Sequence, residues 1–254
     1  MLRWFRADLH IHTCLSPCGD LTMSPLRIVK MAYEMGLNII GICDHNSAEN
    51  VRAAINAAEL IGKERTHSSP LAVLPGMEVC TKEEVHIIGL FGKLEDVLKL
   101  QTLVYQKLPE EKNNPELFGE QIIANEYDEV EGYSERFLIG ASTLTVKGVV
   151  DQIHRFNGIA IASHIDREGF SLIGQLGFIP EDLPLDALEI SANITIDDAL
   201  KRFPEIKKFP IIRSSDAHFP EDIGKATTSF LLEEPTLTEI KTAFMLQKGR
   251  RYEA

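Results

Sequence analysis

The stretch Asp8-Leu9-His10-Ile11-His12 ends a predicted β-strand with two histidines spaced two residues apart. Side chains alternate between the two faces of a strand, so His10 and His12 are expected on the same face, where two imidazoles can bind one ion. Further along the chain, short β-rich segments alternate with helical ones, a pattern typical of a parallel sheet built from βα units. The stretch therefore predicts an α/β fold whose first strand carries part of a metal site.

The pattern of apolar residues predicts the elements in more detail. We expect strands over residues 6–12, 38–44, 72–79, 85–91, 158–164, 187–191, 211–216 and 228–233. Helices are expected over residues 25–35, 48–61, 145–156, 196–202 and 236–248. The first of these helices begins at Ser24-Pro25, a capping residue followed by a first-turn proline, and stops at Gly36. These elements fit one domain over residues 1–254.

One segment, residues 94–138, departs from the alternation. It is rich in charged and amide side chains, contains Pro109 and Pro115, and shows no strong strand pattern. We interpret it as a polar insertion. Its charged runs favour a solvated helical excursion, while the alternative is a lid over the active site, because long loops inside compact domains are often functional.

Composition limits the class of protein. The chain has 254 residues, 44% of them apolar, and no apolar run near the length that spans a bilayer. The N-terminus lacks the apolar core of a secretory signal, and four irregularly spaced cysteines do not form a disulfide framework. We therefore expect a cytoplasmic protein without a membrane partner. The net charge of −12 favours a small substrate and argues against general duplex nucleic-acid binding.

Histidines are the most informative residues. The chain has eight, and six of them lie at the ends of predicted strands, together with two carboxylates: His10, His12, His45, His86, His164, His218, Glu78 and Asp216. The C-terminal strand ends of a parallel barrel meet at one mouth, so ligands scattered along the sequence converge there. Imidazoles and carboxylates are ligands of Zn, Mn and Fe ions. We expect a site with two or three such divalent ions, and we expect His67 and His154 to lie outside it.

Four separated motifs carry most of these residues: Asp8-Leu9-His10-Ile11-His12-Thr13, Cys43-Asp44-His45-Asn46, Ser163-His164 and Ser215-Asp216-Ala217-His218. With Glu78 and His86 between them, this combination resembles the polymerase and histidinol phosphatase (PHP) family over nearly the whole chain. The resemblance implies a distorted, TIM-like (β/α)7 barrel that holds up to three metal ions at the C-terminal strand ends.

The resemblance also implies how the ligands are shared. His10, His12, Glu78 and Asp216 would hold the first ion, and Glu78 would bridge to a second ion completed by His86 and His164. The third ion would be held by His45, His218 and one ligand from the loop after the first motif. Asp44 is expected to support the ligands by hydrogen bonding rather than to bind metal.

The loop ligand is where the sequence departs from the family pattern, since this loop contains Cys18-Gly19-Asp20. We predict Asp20, because its carboxylate suits a hard or borderline ion and Gly19 lets the loop turn inward. Cys18 is the alternative ligand.

The expected mechanism is hydrolysis by a metal-activated water. Asp216 or His218 could move protons to or from the reacting groups. Arg167, three residues after His164, could bind a non-bridging phosphate oxygen. The alternative for Arg167 is a surface ion pair with Asp166 or Glu168.

We therefore expect a metal-dependent phosphoesterase, with a small phosphomonoester, a nucleotide or a short oligonucleotide as substrate. The resemblance favours nucleoside-phosphate phosphatases and 5′-directed exonucleases over a histidinol-phosphatase-like activity. A non-catalytic metal-binding module is a second class of function compatible with these residues, and metal-assisted hydrolysis of a C–N bond is a third. The sequence does not determine the oligomeric state.

Overall fold

The structure is a computed structural model, and it describes residues 1–64 and 70–254. His67 lies outside the described residues. The described strands are β1 (Arg3–Ile11), β2 (Ile39–Ile42), β3 (Ala72–Cys80), β4 (His86–Leu90), β5 (Ile122–Ala124), β6 (Val130–Tyr133), β7 (Ile159–Ala162), β8 (Ala187–Ile190), β9 (Ile211–Arg213), β10 (Thr228–Leu232) and β11 (Arg251–Glu253).

The helices are α1 (Pro25–Glu34), α2 (Val51–Glu64), α3 (Leu94–Tyr105), α4 (Pro115–Phe118), α5 (Val146–Arg155), α6 (Leu172–Leu176), α7 (Ile196–Arg202) and α8 (Leu237–Phe244). Local capping sets several of their first residues: the hydroxyls of Thr145, Thr195 and Thr236 each accept a hydrogen bond from a backbone N–H of the first turn. Across the described ranges, no helix has the length and apolar character needed to cross a membrane.

The main sheet has the strand order β11-β10-β1-β2-β3-β4-β7-β8-β9. The β9 end of the sheet approaches β1, because Ala217, just after β9, pairs with Ile11 of β1 and its carbonyl accepts a hydrogen bond from the N–H of His12 (3.0 Å). The sheet thus forms a nearly closed barrel. Every strand of that barrel contributes to an apolar interior cluster, and residues of α8 complete the cluster. A second, larger cluster packs the outer faces of the strands against the helices. The predicted α/β barrel is confirmed.

The strands are not all parallel. β4 runs antiparallel to both β3 and β7, because only residues 81–85 join it to β3, and so short a connection cannot make a parallel crossover. The count of seven β/α units is therefore not reproduced. The reversal has a functional consequence, because His86, the first residue of β4, pairs with Cys80 at the end of β3. The first residue of β4 therefore lies at the mouth of the barrel, beside the C-terminal end of β3.

Residues 94–138 do not form one solvated excursion. Their first part is α3, whose side chains Val97, Leu100 and Val104 are buried in the outer core. The rest contains α4 and the β5–β6 hairpin, which the sequence did not predict because its strands are short and β6 is largely exposed. The end of this segment is tied to the barrel: the amide nitrogen of Asn46 donates to the carbonyls of Leu138 (2.8 Å) and Gly140 (2.9 Å).

Candidate metal centre

The barrel brings together the predicted strand-end residues at one mouth. A β-bulge between Asp8 and Ile11 shifts the register of β1 on β2 just before the two histidines of the first motif, and such bulges often redirect side chains beside active sites. The residues that converge are His10, His12, His45, Glu78, His86, His164, Asp216 and His218. We call these eight residues the strand-end cluster.

Glu78 lies at the centre of the strand-end cluster and is fully buried. One of its carboxylate oxygens, Oε1, lies 3.4 Å from His10 Nε2, 3.2 Å from His86 Nδ1 and 3.4 Å from His164 Nε2. The other oxygen, Oε2, lies 3.5 Å from His12 Nε2 and 3.0 Å from His45 Nδ1. The two oxygens thus face two different sets of imidazoles.

The first motif forms the deepest part of the cluster. The Nε2 atoms of His10 and His12 lie 3.0 Å apart, and Asp216 Oδ1 lies 3.4 Å from the first and 3.1 Å from the second. Groups of imidazole and carboxylate atoms close enough to share an ion are His10, His12 and Glu78; His12, His45 and His218; and His45, Glu78 and His86.

Several polar atoms of the cluster are buried without a hydrogen-bond partner among the described residues: both oxygens of Glu78, Asp216 Oδ1, His86 Nδ1 and His164 Nδ1. Leaving such groups unpaired is costly, and native proteins avoid it unless an ion or water completes them. Imidazole nitrogens and carboxylate oxygens of the cluster lie close enough together to share an ion, so these residues fit divalent cations well.

Hydrogen bonds outside the cluster orient two of its imidazoles. The Nδ1 atom of His10 lies 3.0 Å from Glu189 Oε1, a carboxylate that can only accept. His12 Nδ1 lies 2.9 Å from the Ser16 hydroxyl, which donates its one proton to Asp44 Oδ1 (2.8 Å) and must therefore accept from His12. Both histidines consequently carry the proton on Nδ1, which leaves Nε2 free to bind a cation. Asp44 has the supporting position expected for it.

Glu189 and Ser16 were not predicted as site residues. Glu189 interrupts the apolar strand Ala187–Ile190 with a charge and is fully buried. A carboxylate in the middle of a short buried strand was the signal that could have identified it, since charged residues are rarely buried without a partner. Ser16 carries no comparable signal, because a loop serine is ordinary.

The loop after the first motif corrects one expectation. The backbone N–H of Asp20 donates to the carbonyl of His218 (2.8 Å), but its carboxylate does not reach the cluster. The Oδ1 atom of Asp20 accepts hydrogen bonds from the N–H (2.8 Å) and hydroxyl (2.6 Å) of Thr22, which closes a local turn and leaves the side chain toward solvent. Cys18 lies at the mouth instead, with its thiol against His218 and His45. Although Cys18 is exposed, partial desolvation of its thiol opposes ionisation; hydrogen bonds with His218 and His45 outweigh this effect and lower the pKa of Cys18 to about 6.

Arg167 does not form the ion pair with Asp166 or Glu168 that was the alternative to phosphate binding; it pairs with Asp216 instead. Its NH1 lies 2.7 Å from Asp216 Oδ2, while 41% of its side chain remains exposed at the mouth. Asp166 is occupied elsewhere, accepting hydrogen bonds from the N–H and hydroxyl of Ser191. The structure thus brings Arg167 to the site, with its guanidinium on the outer side of Asp216.

The two cluster carboxylates are held ionised. Burial would raise the pKa of Glu78, but its interactions with the neighbouring imidazoles of His86 and His10 lower it well below its usual range. Burial is likewise outweighed at Asp216, where His10 and His12 hold the pKa far below that of a free aspartate. Asp216 is therefore a poor proton acceptor and a good cation ligand.

The backbone around the cluster is strained. Asn46, His164, Phe170 and Asp216 all have positive φ angles although none is glycine. Such conformations persist where the surroundings enforce them, and they concentrate at functional sites.

The cluster opens into a cavity of about 380 Å³. Besides cluster residues, the cavity is lined by Cys18, Ile139, Arg167, Gly169 and Phe170. Ile139 directly follows the segment of residues 94–138. It lies between Leu138 and Gly140, whose carbonyls accept hydrogen bonds from the side-chain amide of Asn46. The barrel mouth thus combines a buried carboxylate between two sets of imidazoles with a cationic side chain at the opening, a donor set that suits divalent cations.

The chain belongs to the PHP family. The model of the PHP domain matches residues 8–181, and the model of the PHP-associated region matches residues 201–244. The resemblance inferred from the motifs is thereby confirmed.

Two curated relatives share part of the sequence. The chain is 33% identical over 130 residues to a 5′-3′ exoribonuclease of Haemophilus influenzae, a match that covers 48% of this chain and 42% of that protein. It is 28% identical over 206 residues to the 5′-3′ exoribonuclease Rnm of Salmonella typhimurium, covering 65% of this chain and 67% of that protein. The chain thus spans less than half of the Haemophilus protein.

Among solved structures, the fold is similar to that of the lesion-specific endonuclease PfuEndoQ from Pyrococcus furiosus, with a TM-score of 0.73 at 20% identity. The match covers 98% of this chain and 58% of that chain. A second structure shows Endonuclease Q in complex with a 27-mer duplex substrate that has an abasic lesion at the active site (TM-score 0.68, 21% identity).

These structures overturn one expectation. The net charge argued against duplex nucleic acid as a partner, but Endonuclease Q, which has a similar fold, is in complex with a duplex substrate, so that exclusion was wrong. The physical reason is that net charge averages over the whole surface. Bound divalent ions reverse the local field at the site, and substrate contacts depend on that field.

Proposed function

We propose that this chain is a metal-dependent nucleic-acid phosphoesterase that removes nucleotides from the 5′ end of a strand. The observation that carries the proposal is the central position of Glu78, whose two buried, unpartnered oxygens face separate groups of imidazoles. The names of the curated relatives support a 5′-directed activity. The cavity volume, near the lower end of the range for ligand sites, suits one terminal nucleotide better than a long internal segment.

The proposed ligand sets are those that the family resemblance implies, and the first of them contains one of the groups in the cluster, His10, His12 and Glu78. His10, His12, Glu78 and Asp216 hold a first ion, and Glu78, His86 and His164 hold a second. His45 and His218 hold a third, with Cys18 as the loop ligand, because its thiol lies against both imidazoles. When bound, ions of the Mn, Fe or Zn type supply Lewis acidity toward the phosphate and lower the pKa of water.

Arg167 is the protein side chain that binds the phosphate. One of its nitrogens contacts Asp216, and a guanidinium has five N–H donors, so donors remain for a non-bridging oxygen. Asp216 acts as a ligand rather than as a general base, because its pKa is held low. His218 is oriented for binding by its Nδ1, which donates to the carbonyl of Asp216 (2.8 Å).

The experiment is a cleavage assay with manganese-loaded protein on 5′-phosphorylated RNA labelled at its 3′ end. We expect products shortened one nucleotide at a time from the 5′ end, and release of nucleoside 5′-monophosphates. Glu78→Gln should abolish this activity, whereas Glu205→Gln, a charge-matched change at an exposed position, should not.

Two other results would count against the proposal. Internal cuts would contradict the 5′-end activity and indicate an endonuclease. If protein with a full complement of ions cleaved neither RNA nor DNA, single-stranded or duplex, the proposed function would be wrong.

A further inference from the structure

Phe170 occupies an unusual position beside the strand-end cluster. It lies in the loop between β7 and α6, and its φ angle is +57°, a conformation that is rare for a bulky aromatic residue. The backbone carbonyl of Phe170 is held in place because it accepts a hydrogen bond from the N–H of His86 (2.8 Å). The strain is therefore maintained by a contact with a cluster residue.

The ring of Phe170 is positioned as firmly as its backbone. It stacks on the imidazole of His86, with 4.7 Å between ring centroids and 25° between the planes. The residue is nevertheless 45% exposed, and it lines the cavity of the cluster. The exposed part of the ring therefore presents apolar aromatic surface to the cavity.

Apart from the histidines of the strand-end cluster, Phe170 is the aromatic residue among the described residues that line this cavity. Ile139, which follows the segment of residues 94–138, adds a second apolar side chain to the same lining. Proteins that bind single strands use aromatic side chains on which bases stack, and such stacking tolerates any base because every base has a π-face. Apolar side chains complete such base pockets in nucleic-acid enzymes.

We infer that Phe170 is the stacking surface for the nucleobase of the nucleotide whose phosphate binds at the strand-end cluster. The inference rests on the proposed function, since it assigns a subsite to that substrate. It predicts affinity for the base without strong preference among the bases. Phe170 would thus select nucleotides over phosphates that lack a base, and it would not be a metal ligand.

The test compares binding of a nucleoside 5′-monophosphate and of ribose 5-phosphate to metal-loaded protein by calorimetry. The wild type should bind the nucleotide more tightly by about 5- to 100-fold, the range expected for stacking of one base. Phe170→Ala should lose most of this preference while its affinity for ribose 5-phosphate stays unchanged. Phe170→Trp should retain the preference, and Phe178→Ala, at an exposed phenylalanine outside the cavity lining, should behave as the wild type.

Two results would overturn the inference. An unchanged preference in Phe170→Ala would show that the base does not stack there. An equal loss of affinity for both ligands, with a loss of bound metal, would show that the ring only supports His86. The calorimetric comparison measures binding and does not depend on cleavage. An absence of nuclease activity would therefore contradict the proposed function but would not affect this test of Phe170.

Discussion

The carboxylate of Glu189 lies 3.0 Å from Nδ1 of His10, and both side chains are fully buried. The same oxygen accepts a hydrogen bond from the backbone N–H of His164 (3.2 Å). Glu189 therefore connects two residues of the strand-end cluster, although it does not face the cavity. Carboxylates in this position fix the protonation and orientation of a ligating imidazole.

Replacing Glu189 should weaken metal binding. We expect Glu189→Ala to lower metal affinity by roughly 10- to 100-fold, because His10 loses the acceptor that keeps Nε2 free. Glu189→Gln, which keeps an acceptor oxygen but loses the charge, should have a smaller effect. Competition with a chelating dye measures both, with Glu205→Gln as control. An affinity equal to that of the wild type in Glu189→Ala would contradict this role.

The loop ligand can be identified by counting ions. Cys18→Ala should lose about one ion per chain, since the thiol lies against His45 and His218. Asp20→Ala should retain all bound ions, because Asp20 is engaged with Thr22. Elemental analysis after gel filtration gives the stoichiometry. Loss of an ion in Asp20→Ala alone would restore the assignment expected from the sequence.

The pKa of Cys18 predicts how the metal-free protein reacts. A thiolate forms above its pKa, and the value of about 6 means that alkylation by iodoacetamide should reach half its maximal rate near pH 6, rather than near the ordinary 9.0. Cys14 and Cys80 are buried, and burial raises the pKa of each to about 12, so they should stay unmodified in the folded protein. Mass spectrometry of tryptic peptides follows the rate. A midpoint at pH 8 or above would contradict the proximity of the thiol to the two imidazoles.

Gly41 of β2 lies so close to the backbone of β1 that this position should tolerate no side chain. A Cβ on Gly41 would approach the carbonyl oxygen of Leu9 to 2.3 Å, and this atom belongs to the backbone. Gly41→Ala should lower the free energy of unfolding by about 1–3 kcal/mol or more and reduce metal content, because the strands before His10 and His45 must separate. Gly132→Ala, where a Cβ meets no atom within 4 Å, is the matched control. Equal urea midpoints for the two variants would contradict the packing.

The sequence predicted the strands of the main sheet except β11, because buried strands form short apolar runs that end in polar residues, whereas β11 has three largely exposed residues. The strand-end residues of the cluster were found for the same reason. The direction of β4 was not predicted, since an apolar run has no direction, and His86 was placed at the start of its strand without an explanation. The antiparallel pairing of His86 with Cys80 supplies that explanation.

Other features depend on contacts that a linear sequence does not show. The choice between Asp20 and Cys18 depended on a local turn with Thr22, which removes the chemically better ligand from the site. Phe170 looked like any loop phenylalanine, because its exposure and its positive φ angle exist only in the folded chain. The partner of Arg167 is a residue 49 positions away, Asp216.

The most direct test of the bridging role of Glu78 is the metal content of the purified wild type beside that of Glu78→Gln, measured by elemental analysis and native mass spectrometry. The substitution keeps the shape of the side chain but removes the charge and one acceptor with which Glu78 would bridge two cations. We predict about two to three divalent ions per wild-type chain and at most about one in the folded variant. A wild type that binds no ion after incubation with manganese, iron or zinc, or a variant that retains the full complement, would contradict the central role of Glu78.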